Sequence, residues 1–391
     1  MGDRDRPRRH ARAGAGRLRA GARDRRRALR QRHGGGAARA VRRVRHRRER
    51  ARAGEPAGHR RRAGRRRLAA GRGLRGDLPG GRRGPRVSPR HLVALLGPTA
   101  SGKTAAAVAV ARALPVEVVS ADSRQLRRGM RIGAAAPSDE DLAAVPHHLV
   151  GCVAPDAPWG LADFLAQARA ALDAIWARGR TPLLVGGTGQ YMWALLEGWR
   201  VPSVPPDAAL RARLEAAAAR GGDHLHARLA ALDPDSARRI DARNVRRVIR
   251  ALEIVEVTGG PVTAREREPL DFSWRAVGLA WPRAALHARA DARAERMYAA
   301  GLVEETRGLF DCYGPACPAL HAVGYAEAAR VLAGEWDVTA ALRRTQQETH
   351  RLIRMQAAWF RGGDARIEWR DGADLDAVVG AVVAAARPPL R

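Results

Sequence analysis

The chain of 391 residues has one lysine against seventy arginines, only three cysteines and few aromatic side chains. Three cysteines cannot all pair, which excludes the disulfide framework of small secreted domains and favours the cytoplasm. Cys312 and Cys317 have no histidine or cysteine partners at zinc-ligand spacing, so we expect ordinary thiols there. No stretch reaches the roughly 18 consecutive apolar residues of a membrane span, and no membrane contact is expected.

Positive charge is abundant but concentrated in one part of the chain. The formal net charge of +31 suggests a nucleic-acid partner. Residues 1–90, however, hold thirty-three arginines and six acidic residues, a net +27, which leaves +4 for residues 91–391. The basic segment lacks Phe, Tyr, Trp and Ile, so it cannot bury a core. We predict that residues 1–88 form a disordered extension rich in Arg, Gly and Ala.

Three origins of this extension are open: a basic arm that attracts RNA, a cleaved organellar presequence, or a start codon assigned too far upstream. Serine is absent before Ser88, which weakens the presequence, and no apolar run resembles a secretory signal. We favour a mis-assigned start, with the natural one near Val87, over a disordered arm. The mass of the natively expressed protein distinguishes the two.

The lone lysine lies in a segment that matches the phosphate-loop pattern G-x-x-x-x-G-K-[ST]. In such a loop the glycines let backbone N–H groups surround a diphosphate, and the lysine reaches its outer oxygens. A broad guanidinium is a poor substitute at this position. An apolar strand precedes the segment and an alanine-rich helix follows it, as the pattern requires. The predicted diphosphate site is Gly97, Pro98, Thr99, Ala100, Ser101, Gly102, Lys103 and Thr104.

Strands and helices alternate after this loop, which predicts a P-loop α/β fold with a doubly wound parallel sheet. The catalytic core is expected in residues 89–204 and 236–375, and residues 205–235 are expected to form a helical insertion. A single helix is predicted from Pro234 or Ala237 to Thr258, where Gly259 ends it. The predicted strands are residues 91–96, 116–120, 181–185 and 274–281. The other predicted helices are residues 104–114, 161–178, 282–300 and 338–361.

The strand ends distinguish this chain from common nucleotide hydrolases. An ATPase or GTPase normally supplies an apolar strand that ends in a metal-holding aspartate. Here the corresponding strand ends in Gly186-Gly187-Thr188, and the strand-end carboxylate near the loop belongs to Asp122. An ATP-dependent phosphotransferase remains an alternative, although this sequence has no such acid and no recognisable lid.

Four segments in fixed order closely resemble the bacterial tRNA dimethylallyltransferase family, over about residues 91–370. They are the phosphate loop, Ser120-Ala121-Asp122-Ser123, Gly186 to Tyr191, and Asn244 to Glu253. Shorter matches are Pro146 to Leu149, Arg293 to Leu302, Val323-Gly324-Tyr325 and Gln356 to Arg361.

The resemblance implies transfer of a dimethylallyl group from dimethylallyl diphosphate to N6 of adenosine 37, beside the tRNA anticodon. Pyrophosphate would leave, Mg²⁺ would be the cofactor, and no nucleotide would be hydrolysed. Asp122 would be the general base for the weakly nucleophilic N6. Thr99 would contact the bridging region of the diphosphate, Thr104 would help to place Mg²⁺, and Arg293 would hold the diphosphate from the opposite side.

The resemblance also implies a surface for tRNA, with the helical insertion on the anticodon stem-loop. His147 and His148 are expected to be structural. We expect a monomer. The residues implied in tRNA binding are Asp122, Ser123, Arg124, Gln125, Thr188, Arg211, Arg246, Arg247, Val248, Ile249 and Arg250.

Several positions depart from the usual pattern of the family, and they bear on the strength of tRNA binding. The departures are Arg127, Ala134, Ala136, Gly151 and Met355. Together with the basic extension they motivate one alternative, an arginine-rich RNA-binding protein with an inactive loop. A second alternative is prenylation of free adenine nucleotides, which differs only in the acceptor; the helical insertion favours tRNA.

Overall fold

In the computed structural model, the described residues are 90–202, 204, 207–219, 223–262 and 267–387. The predicted extension, residues 1–88, lies outside them, as do residues 205–206 and 220–222 of the predicted insertion. Within the described ranges, no helix is long and apolar enough to cross a membrane.

A six-stranded sheet forms the centre of the fold, in the order β3-β2-β4-β1-β5-β6, and every neighbouring pair is parallel. The predicted doubly wound α/β architecture is confirmed. The short edge strands β3 and β6 were not predicted, because a two-residue strand and a half-polar one carry no clear hydrophobic pattern. The strands are β1 (His91–Leu96), β2 (Val116–Ser120), β3 (His147–His148), β4 (Thr181–Gly186), β5 (Ser273–Ala280) and β6 (Ile367–Asp371).

Strand β1 is apolar throughout its centre because both faces of the sheet are covered. Leu92, Ala94 and Leu96 belong to the core on one face, and Val93 and Leu95 to the core on the other. Successive side chains of a strand point to opposite faces, so a doubly covered strand has no polar side.

Thirteen α-helices lie within the described residues, and a short 3₁₀ helix spans Pro318–His321. The α-helices are α1 (Lys103–Ala113), α2 (Asp139–Ala144), α3 (Leu161–Ala177), α4 (Gly189–Leu196), α5 (Ala208–Ala219), α6 (Asp223–Leu232), α7 (Pro234–Arg239), α8 (Val245–Thr258), α9 (Arg283–Ala299), α10 (Leu302–Tyr313), α11 (Tyr325–Leu332), α12 (Val338–Trp359) and α13 (Leu375–Ala385).

The predicted continuous helix up to Thr258 is wrong, because the chain breaks between α7 and α8. The Asn244 side chain accepts a hydrogen bond from Arg247 N at 3.3 Å and starts α8, and Asp233 caps α7 in the same way. Asn and Asp side chains capture backbone N–H groups that a continuous helix would use internally, so they start new helices.

Helices α5 to α8 share a hydrophobic core of their own, which includes Leu214, Leu229 and Leu252. We call these four helices the helical lobe. The lobe therefore extends through Thr258, beyond residue 235, where the sequence placed the end of the insertion.

Candidate active site

The candidate site lies at the carboxyl ends of three adjacent strands, β2, β4 and β1. The register pairs Leu96 with Gly186 and Ser120 with Val185, so the loops that follow these strands meet. Together with α9 and α12 they enclose a cavity of about 410 Å³. Ligands of open α/β sheets bind at this edge, where the strand order reverses. Among the predicted residues that line the cavity are Thr99, Lys103, Thr104, Asp122, Gln125 and Arg293.

The phosphate loop begins α1 with its backbone in special conformations. Gly102, the N-cap of α1, has φ +96°, and Ala100 has φ +65°, which is uncommon for a residue with a side chain. Ser101 is fully buried behind the loop. The first N–H groups of α1 have no helical partner and carry a partial positive charge, so they favour an anion at this position.

Lys103 is enclosed by the loop that carries it. Its Nζ donates a hydrogen bond to Pro98 O at 2.8 Å. Burial lowers the pKa of the Lys103 ammonium to about 8; Asp122 opposes this shift and Arg293 adds to it. A charged ammonium without a full counter-charge is therefore ready for an anionic ligand.

Arg293 reaches the loop from α9 on the opposite side of the cavity. Its Nη2 donates to Thr99 Oγ1 at 2.6 Å, so the structure brings these two predicted residues together. Its Nε is buried and has no partner among the described residues. Burial lowers the pKa of the Arg293 guanidinium, and Asp122 partly offsets this. An unpaired buried donor in a cationic cavity indicates room for an anionic group.

Asp122 follows β2 and lines the cavity with its carboxylate. One oxygen, Oδ1, accepts hydrogen bonds from Arg124 N at 2.8 Å and Gln125 N at 3.3 Å. Among the described residues, no donor is bonded to Oδ2. The turn thus fixes the carboxylate through one oxygen and leaves the other for a proton.

Ser123 and Thr188 lie beside Asp122 and hold two of the strand-end loops together. Ser123 N donates to Thr188 Oγ1 at 3.1 Å, and the two hydroxyl oxygens are 3.4 Å apart. Gln125 donates through Nε2 to Ala135 O at 2.9 Å, so it joins this turn to the loop that forms a further wall. Of these predicted tRNA contacts, Gln125 lines the cavity with Asp122, whereas Ser123 and Thr188 join the adjoining loops.

The predicted tRNA residues of the helical lobe fall into three environments. Arg211 donates from Nε and Nη2 to the buried carboxylate of Glu253 at 2.9 and 2.8 Å, and Arg250 pairs with the same carboxylate. Val248 and Ile249 are only 1% and 6% exposed, within the core of the lobe. Arg246 and Arg247 are exposed.

The role of Gln356 was missed in the sequence, although it belongs to one of the shorter matching segments. Thr99 N donates to Gln356 Oε1 at 2.8 Å, so α12 is bonded to the phosphate loop. A Cβ on Gly187 would lie 2.7 Å from Gln356 Nε2, and one on Gly189 would lie 2.2 Å from the Trp359 ring. The glycines after β4 therefore let α12 approach the site.

Arg289 and Arg296 also line the cavity and were missed. They lie four residues before and three residues after Arg293 on α9, which is the spacing of one helix face, so the sequence did contain this signal. Together with Lys103 and Arg293, these two arginines give the lining four cationic side chains against the single carboxylate of Asp122. The cavity is suited to a polyanion.

The histidine pair and Arg127, one of the departures, have structural contacts. His148 Nε2 lies 2.7 Å from Glu117 Oε2, and His147 Nδ1 lies 2.8 Å from Val145 O, outside the cavity. Arg127 donates to Ala154 O and Ala157 O at 2.8 and 2.7 Å. Ala134 lines the cavity, whereas the Met355 side chain is exposed.

The oxygen atoms at the site fit a magnesium ion that is held mainly by the phosphate groups of a bound substrate. The described residues contain no group of three or more His, Cys, Asp or Glu side chains that could hold a metal alone. Thr104 lines the cavity at the start of α1. Mg²⁺ commonly takes one or two protein oxygens, with waters and substrate phosphates as the remaining ligands.

These features define the class. A parallel sheet with a phosphate loop, four cations and a single strand-end carboxylate forms a P-loop site that is suited to an anionic ligand. A family model described as IPP transferase matches residues 125–363, and one described as isopentenyl transferase matches residues 90–148. The chain belongs to the IPP transferase family. Its curated relatives are named tRNA dimethylallyltransferases.

Individual relatives agree with this assignment. The tRNA dimethylallyltransferase of Chloroflexus aurantiacus is 53% identical over 274 residues, which cover 69% of this chain and 93% of the relative. The tRNA isopentenylpyrophosphate transferase of Bacillus halodurans has a crystal structure with TM-score 0.56 and 34% identity, covering 76% of this chain and 97% of that one. A eukaryotic dimethylallyltransferase acting on tRNA shares the fold, with TM-score 0.64 at 24% identity, covering 73% and 75%.

Proposed function

We propose that this protein transfers a dimethylallyl group from dimethylallyl diphosphate to N6 of adenosine 37 in tRNA, with release of pyrophosphate. The observation that carries the proposal is the placement of Lys103, Arg293 and Asp122 around one cavity. The two cations suit the diphosphate, and the carboxylate suits proton removal from the acceptor. The relatives named tRNA dimethylallyltransferase support the choice of tRNA over a free adenine nucleotide or an ATP-dependent phosphotransfer.

The phosphate loop and α9 act on the leaving group. As the bond between the allylic carbon and the diphosphate oxygen breaks, negative charge grows on pyrophosphate. Lys103, the loop N–H groups and Arg293 surround that charge, and Arg293 also fixes the Thr99 hydroxyl. Loss of one such preorganised donor typically costs about 3 kcal/mol of barrier.

Asp122 acts on the acceptor. The N6 lone pair of adenine is delocalised into the ring, which makes N6 a weak nucleophile. A proton of the N6 amino group must therefore be removed as the new carbon–nitrogen bond forms. The carboxylate is held through Oδ1 by Arg124 N and Gln125 N, and Oδ2 would take this proton. Such general-base assistance is typically worth about 10²- to 10⁴-fold in rate.

The magnesium ion belongs to the proposal as well. Thr104 would hold it together with oxygens of the bound diphosphate. It would neutralise charge on the departing pyrophosphate.

The acceptor base must leave its stacked position in the anticodon loop to reach the cavity. Gln125 lines the cavity, Ser123 and Thr188 lie in the adjoining loops, and all three would contact the flipped nucleotide. Arg246 and Arg247 are exposed on the helical lobe and would bind backbone phosphates of the anticodon stem-loop. A cytoplasmic location and a monomeric state remain predictions.

The test is a reaction of the protein with dimethylallyl diphosphate, Mg²⁺ and undermodified tRNA, followed by mass spectrometry of the nucleosides. We expect N6-dimethylallyladenosine at position 37 and an equal amount of pyrophosphate. ATP in place of the prenyl donor, and adenosine monophosphate in place of tRNA, serve as control reactions. Prenylated AMP without prenylated tRNA, or phosphorylated product from ATP, would overturn the proposal.

A further inference from the structure

Arg289 has a setting that its neighbours on α9 do not share. Its Nε donates to Ala100 O at 3.0 Å, and its guanidinium carbon lies 4.3 Å from the centroid of the Trp281 ring. The indole N–H of Trp281 donates to Ser101 O at 3.0 Å. Two side chains in contact with each other thus bind consecutive carbonyl groups of the phosphate loop from behind.

This arrangement orients the rest of the guanidinium. Ala100 O occupies one edge of the guanidinium and the indole ring covers one face, so both Nη groups remain available to a ligand. Among the described residues, no hydrogen-bond acceptor or carboxylate is paired with either Nη. Of the non-local heavy atoms, Arg289 Nη2 is the nearest to a Cβ built on Gly102, at 3.8 Å, so the fork lies against the phosphate loop and lines the cavity.

We infer that Arg289 is a second diphosphate-binding arginine, which donates from its Nη groups to an outer oxygen of the prenyl diphosphate, and that Trp281 is the positioning residue that holds it. The inference rests on the proposed function, because it deepens the diphosphate site of that reaction. A planar fork with fixed orientation suits phosphate oxygens, and stacking on an aromatic ring reduces the freedom it must lose on binding.

A purely structural role is the competing explanation. Ala100 has φ +65°, a left-handed conformation that is unfavourable for a residue other than glycine. Arg289 could serve only to stabilise this strained residue through its carbonyl group. A glycine at position 100 would adopt the same backbone without that cost, so the two roles can be separated.

The test measures inhibition of the prenyl transfer by inorganic pyrophosphate, together with KM for dimethylallyl diphosphate. Arg289→Ala is expected to raise both the inhibition constant and KM by about tenfold or more, as loss of a charged hydrogen bond implies. Trp281→Leu, which removes the stacking surface, is expected to raise them about two- to fivefold. Arg283→Ala removes an equal charge from the same helix outside the cavity and should change neither value.

The increase that Arg289→Ala causes in the inhibition constant and in KM is then measured in a second protein background. Arg289→Ala is compared with its parent both in the natural chain and in an Ala100→Gly chain. A direct contact gives about the same loss in both backgrounds. A loss that disappears in the Ala100→Gly background would overturn the inference, because Arg289 would then only stabilise the loop.

The outcomes also separate this inference from the proposed function. If the unaltered protein prenylates tRNA and Arg289→Ala is inhibited by pyrophosphate as strongly as the parent, the inference is wrong and the function stands. If the unaltered protein does not transfer the prenyl group to tRNA, the proposed function is overturned, and the inference falls with it because it rests on that function.

Discussion

At the scale of single residues, the site separates two kinds of charge. Lys103, within the phosphate loop, and Arg293, on the opposite side of the cavity, are half-buried cations, and Asp122 is held by a turn at the end of the neighbouring strand. The cations suit the departing diphosphate and the carboxylate suits the acceptor nitrogen. Two predictions concern these residues directly.

We expect Asp122→Asn to lower the rate of prenyl transfer by about 10²- to 10⁴-fold, because an amide cannot take the proton of N6. The amide oxygen can still accept from Arg124 N, so the turn and tRNA affinity should be retained. Single-turnover kinetics and tRNA binding measure the two effects. Asp163→Asn changes a similar capping carboxylate, bonded to Gly160 N, and should leave the rate unchanged. A near-normal rate in Asp122→Asn would exclude Asp122 as the base.

Lys103 predicts a pH dependence of substrate binding. Burial holds the pKa of its ammonium at about 8, so the charge is present at neutral pH and is lost as the pH rises through that value. KM for dimethylallyl diphosphate should therefore rise above about pH 8, whereas bound diphosphate, being anionic, should keep the lysine protonated and kcat less affected. A Lys103→Ala variant lacks the group and should lose this rise. A flat KM profile in the unaltered protein up to pH about 10 would contradict the prediction.

At the scale of elements, the site depends on how closely α12 approaches the loops after β1 and β4. Gln356 bonds to Thr99 N from α12, and Gly187 leaves the space that its side chain occupies. The helical lobe is organised by one carboxylate, Glu253, between Arg211 and Arg250. Each arrangement can be tested by one substitution.

Gly187→Ala should displace Gln356, because the new Cβ would lie 2.7 Å from its Nε2. Loss of the bond to Thr99 N should lower kcat/KM by about 10- to 100-fold, the effect of a small misplacement in an active site. Steady-state kinetics measure it, and thermal unfolding should change little. Gly380→Ala on α13 places a Cβ in open space and is the matched control, with unchanged activity. Equal activities of the two variants would show that the bond from Gln356 is dispensable.

Glu253→Ala should destabilise the helical lobe by about 1–3 kcal/mol, since Arg211 and Arg250 lose the charged hydrogen bonds to their shared carboxylate. The carboxylate is fully buried; burial opposes its ionisation, but hydrogen bonds from Arg211 and Arg250 prevail and lower its pKa. Denaturant unfolding measures the change. Glu215→Ala removes an exposed carboxylate of α5 and should stay within about 0.5 kcal/mol of the parent. A similarly small effect of Glu253→Ala would argue against an organising role.

At the scale of the whole molecule, all of the cavity residues lie between Thr99 and Gln356. The formal charge is concentrated outside that range, in residues 1–90. We therefore expect the sheet, the phosphate loop and the lobe to be sufficient for the proposed reaction without the basic extension.

A chain that begins at Val87 should retain prenyl transfer to tRNA, because it keeps every residue of the cavity and the lobe. Activity and tRNA affinity of the shortened and the full chains are compared at the same ionic strength, since RNA binding by basic residues weakens with salt. Retained transfer agrees with the enzyme hypothesis. Loss of tRNA binding on shortening would instead favour the hypothesis of an RNA-binding protein that depends on its arginine-rich arm.

The sequence by itself determined the parts of this protein that depend on local pattern. Strands β1, β2 and β4 follow from short, mainly apolar runs, and the phosphate loop follows from the fixed spacing of its glycines and Lys103. The strand-end position of Asp122 follows from the same pattern. These signals are contained in a few consecutive residues, so no distant part of the chain is needed to interpret them.

Only the tertiary structure decided how distant residues meet. Gln356 reaches Thr99 across 257 positions of the chain, and Arg289 bonds to Ala100 across 189. It also decided that Arg211 and Arg250 share a buried carboxylate while Arg246 remains exposed. The physical reason is that exposure and pairing of an arginine depend on the elements packed around it, and the sequence of its own helix does not specify those neighbours.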